Sequence, residues 1–265
     1  MFGPDSVFRK TPYILEDSQK RFTSALRYAC EITELQYRRL LEGLTLVSEA
    51  RKDISPEHRI GIFADVWGVI DNLNRARQLL ASFPNVKDSP KVQEFVKEVD
   101  EIRLLRNRLH HMDEDFLSGK NLTQGYPVYG NITWFQHPDE QTVIVGCMVA
   151  GPSSQRDGGT VSSTQIPGEW ERPIGNVCLA AFDRYVRVSH AVKLLSTVVE
   201  ALDRSFSIEI REFAEKIAVE RNLTVERVMQ PAAGDFTLVL AGKMNEDGKS
   251  FTIDSQSNSD VASGP

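Results

Sequence analysis

Apolar residues recur at steps of three and four through the first 118 residues, and that spacing limits what the chain can become. Phe22, Ala25, Leu26, Ala29, Ile32, Leu40, Leu41 and Leu44 place one stripe on a helix predicted over 15–51. A second helix is predicted over 55–83. It opens at Ser55-Pro56, a capping residue followed by proline at the first helical position, where a missing N–H loses no hydrogen bond. Its stripe runs through Phe63, Val66, Ile70, Leu73, Ala76 and Leu80, and Pro84 stops it. The third, predicted over 89–118, begins the same way at Ser89-Pro90, carries Phe95, Val99, Ile102, Leu105, Leu109 and Phe116, and ends near Gly119. Stripes of this kind are stable in water only when they face one another across a shared core.

Past residue 121 the texture changes to Gly, Pro, Ser and Thr with short β-prone runs at 131–135, 142–149, 160–164 and 176–182. Turn-like His137-Pro138-Asp139-Glu140 and Arg156-Asp157-Gly158-Gly159 separate the first three, which predicts an antiparallel meander. A fourth amphipathic helix follows over 183–221, with Val188, Ala191, Leu195, Val198, Leu202, Phe206, Phe213 and Ile217 on one face. A hairpin of 236–242 against 250–253 is predicted around Asn245-Glu246-Asp247-Gly248, before a Ser/Asn/Asp-rich tail of disordered composition. The economical fold class is α+β, mainly α: an antiparallel four-helix bundle with a small antiparallel β insertion between helices three and four. In this scheme 1–118 holds the first three helices and 119–182 the insertion. Residues 183–229 complete the bundle, and 230–265 form the hairpin and tail. A separate β-domain followed by an unrelated helix is the alternative.

Composition excludes several classes. A net charge of −6 argues against a protein whose whole surface grips nucleic acid, so any such contact must be a local basic patch. Cys30, Cys147 and Cys178 are far apart, odd in number and outside any zinc spacing, which predicts reduced thiols, a cytoplasmic protein and no metal or other cofactor. The N-terminal residues lack an apolar core of signal-peptide length, and the longest apolar run, 143–151, is far short of the ~20 residues of a membrane helix. The glycosylation-like triplets at Asn121, Asn131 and Asn222 are therefore read as coincidental.

The chemistry concentrates in Arg106-Asn107-Arg108-Leu109-His110-His111, which holds two of the five histidines. At ~100° per residue with Arg106 at zero, His110 falls at ~40°, Asn107 at ~100° and His111 at ~140°. The apolar stripe occupies ~240–320°, so the polar groups share one arc beginning beside the buried seam. Such groups lie at the lip of a groove, where a phosphate can reach them.

Arg106-Asn107-x-x-x-His111 resembles the R-N-x-x-x-H signature of HEPN domains, α-helical bundles with that signature near the end of a late helix. The resemblance includes the apolar Leu104-Leu105 before the motif and Leu109 within it, and extends in style to helices 15–118. It implies metal-independent RNA cleavage at a homodimer interface where two motifs face each other, in a toxin or defence effector held in check by a regulatory partner. His111 is then the general acid/base for a ribose 2′-OH, and Arg106 stabilises the charge building on phosphorus. Asn107 orients His111 or a phosphate oxygen. Products end in a 2′,3′-cyclic phosphate, and DNA is inert. One departure is Asp113, where a subset of the family carries a modified tyrosine; the acidic run 113–115 would also repel a phosphate backbone.

Neighbouring residues are assigned secondary roles. His110 is an orienting group or a bystander, because the spacing selects His111. Asp71 and Asp65 of the second helix are the acids available to support the site, although solvated helix-face carboxylates are the plainer reading. His58, His137 and His190 have no second ligand at metal spacing, and Trp67, Trp134 and Trp170 are assigned to packing. Arg38-Arg39 and Arg51-Lys52 are short solvated basic pairs. No GxSxG, HExxH, Walker or GxGxxG pattern occurs. Two readings stand: a HEPN-like ribonuclease acting on RNA, and a catalytically silent bundle of the same fold that binds or scaffolds, with the β insertion as its surface. They differ in whether Arg106 and His111 face open space or are tied up by acids.

Overall fold

A computed structural model describes residues 1–50, 54–84, 86–112, 114, 129–140, 142–150, 174–182, 184–232 and 235, and the backbone of 242–244 and 251–253. Its element order is α1 (Asp17–Ala50), α2 (Pro56–Ser82), α3 (Pro90–Glu98), α4 (Asp100–His110), β1 (Asn131–Gln136), β2 (Ile144–Val149), β3 (Ile174–Ala181), β4 (Arg184–Arg187), α5 (Val188–Arg221), α6 (Val225–Val228), β5 (Gly242–Met244) and β6 (Phe251–Ile253). The protein is α+β and mainly α, with a four-stranded antiparallel sheet between α4 and α5.

α1 and α2 run antiparallel, as shown by Phe22 stacked on Phe83 at 3.9 Å near one end and Gly43 against Ile62 near the other. The Ser55 cap forms as its sequence requires, its Oγ accepting from His58 N at 3.4 Å. The Phe83 N–H still reaches Leu79 O before Pro84 ends the helix. α2 is buried on most of its circumference, through Val66, Val69, Ile70, Leu73, Ala76 and Leu80, which makes it the central helix.

The third predicted helix is two. α3 ends at Glu98, Val99 turns aside at φ −97°, ψ 12°, and α4 restarts at Asp100. β-Branched Val99 is followed by Asp100-Glu101, acids suited to a helix first turn. The bend also brings Asp100 to Arg77 of α2 at 2.8 Å and to Arg103 at 2.9 Å. α4 closes at His110, Met112 and Glu114 are again helical, and position 113 and positions 115–118 of that prediction lie outside the described residues.

Arg103, and then Arg77, hold the Asp100 carboxyl below its ordinary 3.8. A lowered folded-state value means the stabilisation is complete above the unfolded value and disappears as pH falls through the folded one. The group is 41% exposed, so screening leaves a small contribution. Asp100→Asn is expected to lower stability by ~0.5–1 kcal/mol at neutral pH, with the difference closing as urea melts move below pH ~4. An equal loss at every pH would assign the effect to packing instead.

The sheet has the order β2-β1-β3-β4. The predicted strands 131–135, 142–149 and 176–182 appear as β1, β2 and β3, whereas 160–164 lies outside the described residues. Of the predicted meander, the first two strands pair antiparallel as β1 and β2 while the third lies outside the described residues, and β3 adds to the other edge of β1. The β1–β3 register slips between Thr133 and Phe135, and Asn176 takes up the slip at φ 51°. The fourth helix begins at Val188, not 183, because 184–187 form β4, hydrogen-bonded to 178–181. α5 ends in a left-handed Asn222 (φ 49°), with Leu223 N donating to Ala218 O at 2.9 Å. The C-terminal hairpin pairs 242–244 with 251–253, and positions 236–241 and 250 of that prediction lie outside the described residues. The tail past 253 lies outside the described residues.

Helices and sheet share one apolar core. Ile132, Trp134, Val177 and Leu179 of the sheet join Leu40 and Leu44 of α1 and Val188, Leu195 and Val199 of α5. Polar ties fix the join: Trp134 Nε1 donates to Ser48 Oγ at 2.8 Å, Val177 N to Ser189 Oγ at 2.8 Å, and Tyr37 Oη to the same Ser189 at 2.7 Å. The N-terminal segment closes the far end, with Phe8 stacked between Phe2 and Phe206. Among the described residues no helix is long and apolar enough to cross a membrane.

Candidate functional site

The buried edge of α4, Ile102 and Leu105, anchors the helix on the core and leaves its polar arc turned outward. Arg106 lies on that arc, 30% exposed, and its Nε donates to Asp71 Oδ1 of α2 at 3.0 Å. The other Asp71 oxygen takes Arg75 Nη2, one turn further along α2, at 2.7 Å. One carboxylate thus sits between two guanidiniums, leaving a net positive charge at the α2–α4 seam. Of the two α2 acids weighed from the sequence, the structure brings Asp71 to Arg106. Asp65 faces Arg39 of α1 at 3.4 Å, where burial raises its pKa and Arg39 opposes the rise.

His111 caps α4 at φ −109°, ψ 21°, its N–H donating to Asn107 O at 3.1 Å. The ring is 65% exposed and its Nδ1 lies 3.2 Å from Glu114 Oε1. The acidic run, read from sequence as a repulsive neighbour, therefore supplies a partner to the imidazole. The Asn107 carboxamide is half-buried, without a hydrogen-bond partner among the described residues, and His110 is exposed in the last turn. A carboxylate on Nδ1 favours the tautomer in which Nε2 carries the lone pair. Arg106 with Asp71 and His111 with Glu114 are thus two acid-paired groups in the last turn and cap of α4.

The remaining histidines are elsewhere. His58 contacts Ser55 at the start of α2, His137 is buried after β1, and His190 is on α5. Among the described residues no cluster of three His, Cys, Asp or Glu could hold a metal ion. Cys30 is buried and its thiol is pushed far up by desolvation, which makes it a packing residue. Arg75 belongs to the site and was missed from sequence. Its signal was the i, i+4 spacing from Asp71.

No protein-family model, curated protein or solved structure matches the chain.

Proposed function

We propose that this protein is a HEPN-type, metal-independent endoribonuclease whose helices α1, α2, α3–α4 and α5 serve as the four-helix bundle of that family. The observation that supports the reading best is the Arg106-Asn107-x-x-x-His111 spacing at the end of α4 with the His111 ring 65% exposed. His111 Nε2 takes the proton of a ribose 2′-OH, and the freed oxygen attacks the adjacent phosphorus. The bond from phosphorus to the 5′-oxygen breaks, and that oxygen receives a proton from an imidazolium. Arg106 binds the non-bridging oxygens with its outward Nη groups, while Asp71 keeps the guanidinium plane fixed. Asn107 offers its free carboxamide to a phosphate oxygen. The products are a 2′,3′-cyclic phosphate and a 5′-hydroxyl. His110 and Asp71 are supporting residues, and the setting is cytoplasmic, with a regulatory protein restraining a toxin-like or defence activity.

The test is single-stranded RNA incubated in EDTA, with the new ends identified. Cleavage to cyclic phosphate is expected, and a substrate with 2′-deoxyribose at the cut position should survive. Metal-dependent cutting, or equal cutting of DNA, assigns the activity to other chemistry.

Self-association belongs to the same reading. One imidazole must serve as base and another as acid, and a two-fold dimer with facing 106–111 segments supplies both. Light scattering is expected to give a dimer that His110→Glu/His111→Glu weakens through like-charge repulsion. A monomer at working concentrations defeats this part.

The second reading is a catalytically silent bundle that binds or scaffolds. It is favoured by the fact that both Arg106 and His111 already have carboxylate partners, which is how a purely structural cluster looks. A folded dimer that leaves RNA intact in every condition above supports it.

A further inference from the structure

An open groove of about 480 Å³ lies between α1 and α2, lined by Tyr28, Ile32, Arg75, Gln78 and Leu79. At one end it reaches the candidate site, because Arg75 shares the Asp71 carboxylate with Arg106. At Ala25 it meets a second cleft of about 450 Å³, to which Arg9, Lys20, Arg21 and Arg27 contribute. The two are joined by the Arg27 guanidinium, 4.6 Å from the centre of the Tyr28 ring. Cations therefore stand at both ends of a channel whose middle is aromatic and aliphatic. From Ile32 to Arg21 it extends roughly 16 Å along α1, at about 1.5 Å per residue.

We propose that this channel is a binding track for single-stranded RNA, delivering a short segment to the Arg106–His111 end of α4. The proposal rests on the ribonuclease reading above. A basic groove interrupted by an exposed aromatic ring is what a single strand needs, with phosphates on the cations and an unstacked base on the ring. Tyr28 is 44% exposed, and Ile32 and Leu79 extend the apolar floor beside it. On a chain of net charge −6, the four cations of the cleft outnumber by one the carboxylates of Asp235, Glu31 and Asp17 beside them. Glu31 offsets Arg9 and Arg27, and Asp17 offsets Lys20, but Arg21 has no ion-pair partner among the described residues. The Arg27 Nε is buried without a hydrogen bond. Asp235 itself marks an anion seat: its carboxylate binds Arg27 beside the Tyr28 hydroxyl, where a phosphate oxygen would lie. A duplex, whose bases are stacked inside, cannot use the ring.

The experiment is fluorescence anisotropy of the full chain with a labelled 2′-O-methyl oligonucleotide, a single strand that cannot be cut. Cleavage of ordinary RNA is measured separately. Tyr28→Ala should weaken binding about tenfold while Tyr28→Phe, which keeps the ring, changes it little. Lys20→Ala/Arg21→Ala should lower the slope of log affinity against log salt by roughly 1.4, at about 0.7 per phosphate contact. Asp235→Asn should tighten binding, although it removes an ion pair, because an anion competing for the seat is gone. Duplex RNA should bind more weakly than the single strand. Unchanged affinity in the Tyr28→Ala and Lys20→Ala/Arg21→Ala proteins overturns the track and, if RNA is still cut, leaves the ribonuclease reading standing. Track-dependent binding without cleavage overturns that reading and keeps the track. Absence of binding by the wild type, or preference for an acidic peptide over the oligonucleotide, overturns the proposal outright.

Discussion

His111→Ala is expected to abolish RNA cleavage in a protein that melts and self-associates like the wild type. The ring is 65% exposed at the end of α4 and buries nothing, so its removal leaves the core intact. General acid–base groups contribute roughly 10²–10⁴ in rate, and in a facing dimer both the base and the acid are lost together. Arg106→Lys should fail nearly as badly. An ammonium can keep the contact with Asp71, yet it lacks the planar fork that holds Asp71 on one edge and phosphate oxygens on the other. Glu114→Gln separates orientation from presence: the ring remains, but the carboxylate that favours the Nδ1–H tautomer is gone. A partial loss of rate is expected from it. Activity near the wild-type level in the His111→Ala protein would falsify the mechanism, whatever the other variants do.

Legibility in the sequence followed periodicity and failed where periodicity is silent. α1 and α2 were read nearly to their ends because Ser55-Pro56 and Pro84 punctuate α2 and apolar residues recur at helical spacing along both. The break at Val99 left no trace, since Phe95, Val99 and Ile102 are all buried and the stripe continues in phase across the bend. β4 was absorbed into the following helix for the same reason: buried Val186 and Val188 fit the apolar pattern on either side of Arg187. Residues 1–14 have no period at all, and the burial of Phe2, Val7 and Phe8 is set by Phe206 and other distant partners. At the site, spacing alone selected Arg106, Asn107 and His111. The Asp71 contact needs two helices docked at a particular rotation, which no local pattern encodes. The groove along Tyr28 and Arg75 is likewise a property of the α1–α2 pair rather than of either helix.

Trp134→Ala is expected to cost about 3–5 kcal/mol and to lower one unfolding transition rather than to create a second. The indole is 2% exposed, fills the space between β1 and α1, and donates to Ser48 Oγ at 2.8 Å. Across the strand pair it stands opposite Gly146, where an added Cβ would collide with the ring; the glycine is what lets the indole lie flat on β2. Removing the ring leaves a cavity on a face that the sheet and the long helix share, and neither can close it without moving the other. Trp134→Phe should cost less, about 1–2 kcal/mol, because Ser48 keeps its bond to Leu44 O at 2.9 Å. The informative comparison is between probes. If sheet and helices form one cooperative unit, far-UV ellipticity and the fluorescence of the remaining Trp67 and Trp170 should change in one transition in the variant. Two separated transitions would make the sheet a separately folding piece. In the cooperative case cleavage should decline only as the folded fraction does, which separates this loss from that of His111→Ala.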